Sequence, residues 1–415
     1  MRIIVVGGGV IGLLTALECS LAGAEVSVVD RGAIPNPEAT SYDRHRVLRA
    51  LHPGAAEAAA AIEAHHRWAE VESRLGTPVY HRVGALTVLG PQEPEASAAA
   101  FAELPGARRL SVGETAERFP QLRLPRGSRA VLERDGGVLL ADRILAGTAE
   151  VLAARPGVRL LPHHRVTGVE AAFGLVRLAD GSVLRADAVV VAAGLWSREL
   201  LGPDLSDGLT LYRQTQLMCA VPASAREVWQ RTPAVPSFGT AEGAWLVPPV
   251  GGAPLKLSAA VACRPVERTG DRVAPREVQT RLVLHFTSLL NGFRAEWIER
   301  AEDSYYLADR KTHGAVLGQL GDNNAWIYAA CGGSSFKFAP MIARSLAGRA
   351  LGTGPRVPTG LRAVDHPVRM PGELSVPESP WSSPATGVQR SAPHSPDAPA
   401  THAASPHHST TGVAP

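Results

Sequence analysis

A glycine-rich stretch near the start of the chain has the residue types and spacing to bind phosphate. Residues Gly7–Gly12 read GGGVIG and satisfy the pattern G-x-G-x-x-G. The first glycine allows a tight turn, the second lets the backbone approach a pyrophosphate, and the third lets a helix pack closely on a strand. Asp30 follows about 20 residues later, where a carboxylate accepts hydrogen bonds from an adenosine ribose. We therefore predict that this stretch binds a dinucleotide.

The elements around the glycines have the order that this chemistry needs. Arg2–Val6 is a short β-branched run, typical of a strand buried on both faces. A helical pattern follows the glycines and stops at Gly23, and Glu25–Val29 predicts a second strand that ends at Asp30. The phosphates would then lie at the positive end of the helix dipole. This order distinguishes the motif from a glycine-rich turn in an unrelated α/β protein.

Two later stretches have related features. Ala188–Val191 predicts a buried strand that runs into Ala193–Gly194, whose small residues leave room for a cofactor against the backbone. Ala325–Ala330 predicts a strand, Gly332–Gly333 follows it, and Pro340–Ala350 predicts a helix. A glycine pair between a strand and a helix again suits phosphate binding.

The basic residues are strongly biased towards arginine. Lys256, Lys311 and Lys337 are the only lysines, and the other 39 of the 42 basic residues are arginines. Where arginine supplies nearly every positive charge, a lysine indicates a place that needs a compact ammonium. Arg46 and Arg49 are three residues apart, so a helical turn would place them on one face.

The strand and helix signals divide the chain into three parts. Residues 1–80, 141–208 and 310–354 predict a discontinuous dinucleotide-binding domain, because late strands return to the first sheet. Residues 81–140 and 209–309 predict a substrate domain with an antiparallel sheet, so the expected fold class is α/β with an α+β substrate domain. Residues 355–415 hold 12 of the 33 prolines and predict a disordered tail rich in Pro, Ser and His.

Composition restricts the partners. The net charge of +3 is too small to indicate nucleic acid or a membrane surface, and no hydrophobic run approaches the ~20 residues that span a bilayer. The short apolar run before the glycines does not predict a signal peptide. Cys19, Cys219, Cys263 and Cys331 lack metal-ligand spacing, so we predict no metal, no disulfide framework and a cytoplasmic location.

The glycine motif by itself leaves the cofactor open, because such motifs bind both NAD and FAD. The chain has one such motif, whereas flavoproteins reduced by a nicotinamide usually need two nucleotide sites. One motif with a large second domain favours a single tightly held cofactor that the substrate reduces. An NAD-dependent dehydrogenase is the alternative at this point.

To about residue 355, the chain resembles the D-amino-acid-oxidase-like superfamily of FAD-dependent oxidoreductases, within it the branch of monomeric sarcosine oxidase and pipecolate oxidase. The stretches that carry this resemblance, besides the first glycines and Asp30–Arg31, are Arg46–Arg49, Gly137–Leu139, Ala193–Ser197, Tyr212–Gln214, Leu255–Leu257 and Gly333–Phe338. The resemblance implies a Rossmann-type FAD-binding domain. The FAD contacts that it implies are Gly7, Gly9, Val10, Ile11, Gly12, Asp30, Arg31, Ser41, Arg46, Val166, Ala193, Gly194, Gly332, Gly333, Ser334, Phe336 and Lys337.

The resemblance also implies roles at the reacting end of the flavin, where Arg46 would lie against the ring. Arg49 and Lys337 would bind the substrate carboxylate, since charge-assisted hydrogen bonds fix its orientation. Lys256 would help dioxygen accept electrons, because a cation in a dry site stabilises an anionic reduced oxygen species. The remaining candidate catalytic residues form an aromatic wall and are Trp245 and Tyr306.

Three positions depart from that branch. Ser304 occupies the position of the cysteine that tethers the flavin, and a hydroxyl is a far weaker nucleophile than a thiolate, so we predict non-covalent FAD. A tether through Cys331 is the less favoured alternative. Ala260 and Ser334 occupy positions of family histidines, which would enlarge the pocket and favour a substrate bulkier than sarcosine.

The resemblance thus implies an FAD-dependent oxidase of an amino acid or of a secondary or cyclic imino acid. The C–N bond would be oxidised to an imine, and O2 would be reduced to H2O2. Two alternatives remain: a dehydrogenase of the same fold that passes electrons to a carrier, and a flavin-binding protein with a degenerate site. We expect a monomer or homodimer whose partners are a small amino or imino acid and O2.

The serine at position 304 gives a direct test of how FAD is held. Denaturing the yellow holoenzyme and precipitating the protein should leave all of the FAD in the supernatant, because Ser304 does not form a thioether. Flavin absorbance of the washed pellet measures the outcome. A pellet that keeps stoichiometric flavin contradicts non-covalent binding, and a Cys331→Ser variant then identifies whether that cysteine is the tether.

Overall fold

A computed structural model of the protein describes residues 1–52, 55–94, 97, 104–201, 206–320 and 324–354. All of these residues fall into one compact unit. The predicted tail, residues 355–415, lies outside the described residues. The helices are α1 Val10–Leu21, α2 Ala55–Leu75, α3 Val112–Arg118, α4 Ala141–Ala153, α5 Ser197–Leu200, α6 Arg226–Gln230, α7 Arg276–Leu289 and α8 Ala339–Ala350.

The strands are numbered in chain order. They are β1 Arg2–Val6, β2 Glu25–Val29, β3 Arg46–Leu48, β4 Tyr80–His81, β5 Ala85–Leu89, β6 Ala107–Leu110, β7 Arg129–Glu133, β8 Gly137–Leu139, β9 Val158–Leu161, β10 Val166–Glu170, β11 Leu175–Leu178, β12 Val183–Arg185, β13 Ala188–Val191, β14 Leu209–Cys219, β15 Ala234–Ser237, β16 Ala244–Val247, β17 Leu255–Ala259, β18 Cys263–Val266, β19 Ile298–Asp309, β20 Ala315–Gln319 and β21 Ala325–Cys331.

A six-stranded sheet forms the dinucleotide-binding part, in the order β20-β21-β13-β1-β2-β9. Its strands pair in parallel except β20, which runs antiparallel at one edge. Both faces are covered, so the strands carry apolar residues at nearly every position. Ile3 and Val5 pack among the helices, whereas Ile4 and Val6 pack against the three-stranded sheet β10-β11-β12. The predicted fold class is confirmed.

The glycine turn that joins β1 to α1 is tightly packed against its neighbours. Gly7 has a φ of +113°, and its N–H donates to the Val29 carbonyl at 2.8 Å. A Cβ on Gly7 would meet the Ala192 carbonyl oxygen at 2.3 Å, and one on Gly12 would meet the Gly7 carbonyl oxygen at 1.9 Å. The turn, helix and strand β13 therefore approach each other at glycine distance, as the motif predicts.

The second large sheet has nine strands and packs against α7 through Val278, Leu282 and Phe286. Its central path is β18-β14-β17-β16-β15-β5-β7-β6, and β19 pairs with β14. The sheet is mostly antiparallel, as expected, and β5 and β15 form a parallel pair within it. These strands come from the two separate stretches of the predicted substrate domain, and a long connection permits a parallel pair. The domain boundaries themselves stay a prediction.

A small sheet, β3-β8-β4, sets the backbone conformation at Arg46. Arg46–Leu48 is a strand and not a helical turn, and Arg46 pairs with Leu139 while Leu48 pairs with Gly137. Pairing with a distant strand outweighs the local spacing of three, which is a weak signal. A Cβ on Gly137 would lie 2.1 Å from the His81 carbonyl oxygen, so this sheet needs a glycine there.

Helix α8 begins at Ala339, one residue before its predicted start, and a 3-10 turn over Ser335–Phe338 precedes it. Helices α1 and α8 pack on each other and on the six-stranded sheet through Leu13, Leu17, Ile342 and Leu346. Among the described residues, none of the helices combines the length and apolar character needed to cross a bilayer.

Two glycines in helices provide a matched test of the turn. We expect Gly12→Ala to lower the free energy of unfolding by about 1–3 kcal/mol, because its Cβ overlaps the Gly7 carbonyl and forces β1 and α1 apart. Gly147→Ala in α4 is the control, since its Cβ has no neighbour closer than 3.6 Å and should stabilise the helix by about 0.5–1 kcal/mol. Urea unfolding of both variants measures the difference. Equal effects would contradict the tight approach.

Candidate active site

A cavity of about 410 Å³ lies between the two large sheets, next to the small one. Val6 and Val29 bring the carboxyl ends of β1 and β2 to it, which is where ligands bind in open parallel sheets. From the opposite side, β16, β17 and β19 contribute Trp245, Lys256 and Tyr306. The site is therefore built by strands that are far apart in the sequence.

Most of the predicted site residues line this cavity. These are Gly7, Gly9, Val10, Ile11, Asp30, Arg31, Ser41, Arg46, Arg49, Val166, Ala193, Gly194, Trp245, Lys256, Tyr306, Gly333, Ser334, Phe336 and Lys337.

Two predicted glycines are not among the lining residues, Gly12 and Gly332. Gly12 lies behind the turn against Gly7, and Gly332 lies against the backbone of Gly314, where a Cβ would approach to 2.7 Å. Both glycines serve the packing around the cavity rather than its surface. Of the two positions that depart from the family histidines, Ser334 lines the cavity and Ala260 does not, and the predicted enlargement of the cavity stays a prediction.

The Asp30 carboxylate orders the glycine turn. Its Oδ2 accepts the Gly8 N–H at 2.7 Å, and its Oδ1 accepts the Gly32 N–H and the Asn36 side-chain amide, each at 2.8 Å. Sequence reasoning gave Asp30 only a ribose contact and missed these bonds. A carboxylate accepts about four hydrogen bonds, so the ribose contact stays a prediction beside them.

The N-terminus of α1 faces the cavity. Gly9 is the N-cap residue and makes no side-chain cap, and the Val10 N–H donates to Ser41 Oγ at 3.1 Å. Unpaired N–H groups and the helix dipole make such an end a binding place for phosphate. Beside it, the Arg31 guanidinium lies 4.8 Å from the centroid of the Trp196 ring. These groups could hold the adenosine and pyrophosphate of a dinucleotide.

Lys256 lies at the other end of the cavity, with only 2% of its surface exposed. Its Nζ donates to Asp43 Oδ2 at 2.6 Å and to the His45 carbonyl at 2.7 Å, and the same carboxylate oxygen pairs with Arg46. Burial and the charge of Arg46 lower the pKa of Lys256, whereas the bond to Asp43 favours the charged form. Burial also lowers the pKa of Arg46 to about 10.

The partly buried Arg49 and the buried Lys337 form a second pair of cations. Arg49 Nη1 donates to the Leu51 carbonyl at 3.0 Å, and burial lowers its pKa. Lys337 has 9% of its surface exposed, and burial followed by the charge of Arg49 lowers its pKa to about 7. Two cations on one wall can bind a carboxylate in a fixed orientation.

Aromatic residues fix the turn that carries Lys337. The Phe336 ring stacks on Trp68 of α2 with centroids 5.6 Å apart, and Trp68 Nε1 donates to the Lys337 carbonyl at 2.7 Å. Arg46 lies 5.7 Å from the centroid of the Phe336 ring. These contacts hold helix α2, the turn and β3 together around the cavity.

Tyr306 forms another wall of the cavity. Its ring stacks on Tyr212 with centroids 5.3 Å apart, and its hydroxyl lies 3.3 Å from Cys263 Sγ. Burial raises the pKa of the Tyr306 hydroxyl, so it stays a neutral group. Trp245 lies on β16, next to the strand that carries Lys256.

Neither residue considered for a flavin tether has the character of a nucleophile. Ser304 Oγ accepts a hydrogen bond from Gln216 Nε2 at 2.8 Å. Burial raises the pKa of the Cys331 thiol, which favours its unreactive protonated form. Non-covalent FAD stays a prediction that this chemistry supports. Within the described residues, His, Cys, Asp and Glu form no group of three or more that could hold a metal ion.

Comparison with known proteins decides the family. Residues 2–349 match the family model described as FAD dependent oxidoreductase. The chain belongs to this family. FAD is therefore its cofactor, and the NAD-dependent alternative is excluded.

Individual relatives within the FAD-dependent oxidoreductases are distant. Monomeric sarcosine oxidase of Bacillus sp. is 28% identical over 221 residues, which cover 51% of this chain and 56% of that protein. Peroxisomal sarcosine oxidase of Mus musculus is 26% identical over 204 residues, which cover 48% and 52%. The chain thus matches about half the length of these curated relatives.

Among solved structures, NikD, described as an unusual amino acid oxidase essential for nikkomycin biosynthesis, has a TM-score of 0.72 to this chain. Its sequence is 21% identical, and the match covers 86% of this chain and 95% of NikD. This similarity shows a shared fold.

The residues around the cavity fit FAD. Gly7 and Gly9 line the cavity at the glycine turn, and the N-terminus of α1 offers N–H groups to the pyrophosphate. At the other end, Ser334 Oγ is buried in the cavity wall and has no hydrogen-bond partner among the described residues. A buried hydroxyl of this kind needs a partner, and a bound cofactor or substrate would supply one.

Four residues of this site have no counterpart in the sequence predictions. Asp43, His52 and Trp68 contact the predicted cations or their backbone, and Glu57 contacts His52. A usable signal existed for one of them, because Asp43 precedes Arg46 by three residues and opposite charges at that spacing often pair. The other three depend on contacts between distant parts of the chain, and the local sequence gives no signal for such contacts.

Asp43 gives a stability test of this arrangement. In the apoprotein, Asp43→Ala should lower the free energy of unfolding by about 3–5 kcal/mol, because it leaves Lys256 and Arg46 without their shared counter-ion. The control is Asp135→Ala, whose half-exposed carboxylate pairs with an exposed arginine and should change stability by about 0–1 kcal/mol. Urea unfolding measures both. Similar losses in the two variants would show that the buried ion pair is not essential.

Proposed function

We propose that the protein oxidises the C–N bond of an amine that carries a carboxylate, giving an imine, and that O2 is reduced to H2O2. The substrate loses two electrons and two protons, and O2 gains both. When bound, FAD supplies the acceptor for a hydride from the substrate carbon. The observation that carries the proposal is the convergence of Arg49, Lys337, Arg46 and Lys256 on one cavity with the glycine turn.

The carboxylate is assigned to Arg49 and Lys337. Both side chains are largely buried, so their hydrogen bonds to an anion are stronger than on the surface. Lys337 follows Phe336 in a turn that Trp68 fixes, so its position does not depend on the substrate. A substrate held by its carboxylate has its neighbouring C–N bond at a defined place.

The same cations favour a neutral amine. An ammonium group would be repelled by Arg49 and Lys337, so the substrate binds with its amine deprotonated or loses that proton on binding. The site therefore does not require a strong general base. This is consistent with walls made by aromatic and neutral polar residues such as Tyr306, Trp245 and Ser334.

Lys256 is assigned to the reaction with O2. Lys256 and Arg46 share the single carboxylate of Asp43, so this group keeps a net positive charge. A fixed positive charge in a dry site stabilises the anionic species formed when O2 takes its first electron.

A second candidate is an FAD-dependent dehydrogenase that passes electrons to a carrier. The bond between Asp43 and Lys256 favours it, because a carboxylate at 2.6 Å offsets much of the ammonium field. Oxidase and dehydrogenase share the first half of the reaction and differ in how the reduced flavin is reoxidised. In a flavin-binding protein without activity, the amine would not reduce the flavin at all.

Anaerobic mixing of the holoenzyme with a panel of amino acids and cyclic imino acids tests the first half of the reaction, in which the substrate reduces the flavin. We expect at least one carboxylate-bearing amine to bleach the flavin, while the corresponding amine without a carboxylate does not, because Arg49 and Lys337 then have no anion to bind. H2O2 is measured after air is admitted. Failure of every substrate in the panel would contradict the proposal and leave the degenerate flavoprotein.

Lys256→Met tests the second half of the reaction, in which O2 reoxidises the flavin. The variant is first reduced with a substrate that the panel identifies. The second-order rate of flavin reoxidation by O2 should fall by about 10²–10³-fold, while anaerobic reduction stays close to wild type. Lys311→Met is the control, because Lys311 is exposed and is not among the cavity-lining residues. Stopped-flow absorbance measures both half-reactions. Unchanged reoxidation in Lys256→Met would remove the assigned role.

A further inference from the structure

Behind Lys337 lies a chain of buried polar groups that the predicted chemistry does not use. Lys337 Nζ is 3.4 Å from His52 Nε2, and His52 Nδ1 is 2.9 Å from Glu57 Oε1. The exposed fraction is 4% for His52 and 3% for Glu57. Burying an imidazole and a carboxylate is costly unless they are paired, so this arrangement needs an explanation.

The distances fix the direction of the hydrogen bonds. An ammonium can only donate, so His52 Nε2 must accept from Lys337 and His52 Nδ1 must carry the proton that is donated to Glu57. Burial and the charges of Lys337 and Arg49 lower the pKa of His52, which keeps the ring neutral as this pattern requires. Glu57 Oε2 has no hydrogen-bond partner among the described residues, so the contact with His52 is made through the other carboxylate oxygen, Oε1.

We propose that His52 and Glu57 are positioning residues that aim the Lys337 ammonium at the substrate carboxylate and keep it charged. The proposal rests on the proposed function, because it assigns a purpose to carboxylate binding by Lys337. His52 fixes the direction of the amine by accepting its hydrogen bond. Glu57 supplies a buried negative charge on the side away from the cavity.

The charged and titratable groups around Lys337 come from several elements. They are Arg49 after β3, His52 in the following loop, Glu57 and His65 on α2, and Glu133 on β7. Arg49 acts against the charge on Lys337, whereas Glu57 and Glu133 favour it. Burial is the largest influence and lowers the pKa of Lys337 to about 7. Carboxylate affinity should therefore be complete below about pH 7 and decline as the pH rises through that value.

Benzoate is a suitable probe, because it stays anionic above about pH 6 and has no amine. Its dissociation constant from the oxidised wild-type holoenzyme is measured by the change in flavin absorbance from about pH 6 to about pH 9. We expect a constant value at the acid end and an increase above a break near pH 7.

Glu57→Gln should move this break to lower pH by about half a unit or more, which weakens benzoate binding about threefold above the break. Removing the carboxylate deprives Lys337 of a charge that favours its ammonium form. Glu57→Asp keeps the charge and should keep the break. Glu63→Gln is the matched control on the same helix, since its half-exposed carboxylate pairs with Arg67. A purely structural role would lower thermal stability and leave the break in place.

His52→Leu is a second variant should Glu57→Gln not fold. It removes the acceptor of Lys337, so the break should move in the same direction. If the break stays at its wild-type pH in both Glu57→Gln and His52→Leu, the proposal is overturned and the proposed function is left intact. Wild-type protein that binds no benzoate at any pH, with no amine bleaching its flavin, would overturn both. A shift in Glu57→Gln that Glu57→Asp reverses supports the proposal.

Discussion

The burial of positive charge is the constraint on which the rest of the site depends. Arg46, Arg49, Lys256 and Lys337 surround one cavity and are largely withdrawn from water. Each such ion costs several kcal/mol to desolvate unless nearby groups compensate it. The chain compensates Lys256 and Arg46 with one shared carboxylate, and it places Glu57 and Glu133 near Arg49 and Lys337. An anionic ligand would supply the further negative charge that this site favours.

The fold is arranged so that distant elements deliver these charges together. Strand β3 carries Arg46 and is held by β8, while β17 delivers Lys256 from the nine-stranded sheet. Helix α2 contributes Glu57 and also Trp68, which anchors the turn with Phe336 and Lys337. The six-stranded sheet contributes the glycine turn and the N-terminus of α1 at the phosphate end. The cavity thus has one end formed by the glycine turn and the N-terminus of α1, and another end with concentrated positive charge.

Local chemistry explains what the sequence could predict. The glycine turn was predictable because it meets a local steric need: a Cβ on Gly7 or Gly12 would lie 2.3 Å or 1.9 Å from a carbonyl oxygen. Lys256 and Lys337 stood out because lysine is rare in this chain, and both line the cavity. The resemblance to known flavoproteins contributed Arg46 and Arg49, and both line the cavity, Arg46 from β3 and Arg49 from the residue after it.

The missed features depend on contacts between distant parts of the chain. Asp43 meets Lys256 across 213 positions, and Trp68 meets Lys337 across 269. The spacing of Asp43 and Arg46 is a local sign of their own pairing, but no local sign marks the pairing with Lys256 or the contact of Trp68. A crystal structure of the holoenzyme with benzoate tests most directly whether Arg49 and Lys337 hold a carboxylate next to FAD. We expect the benzoate carboxylate within hydrogen-bond distance of both Arg49 and Lys337, and a carboxylate bound away from these two side chains would contradict the proposed function.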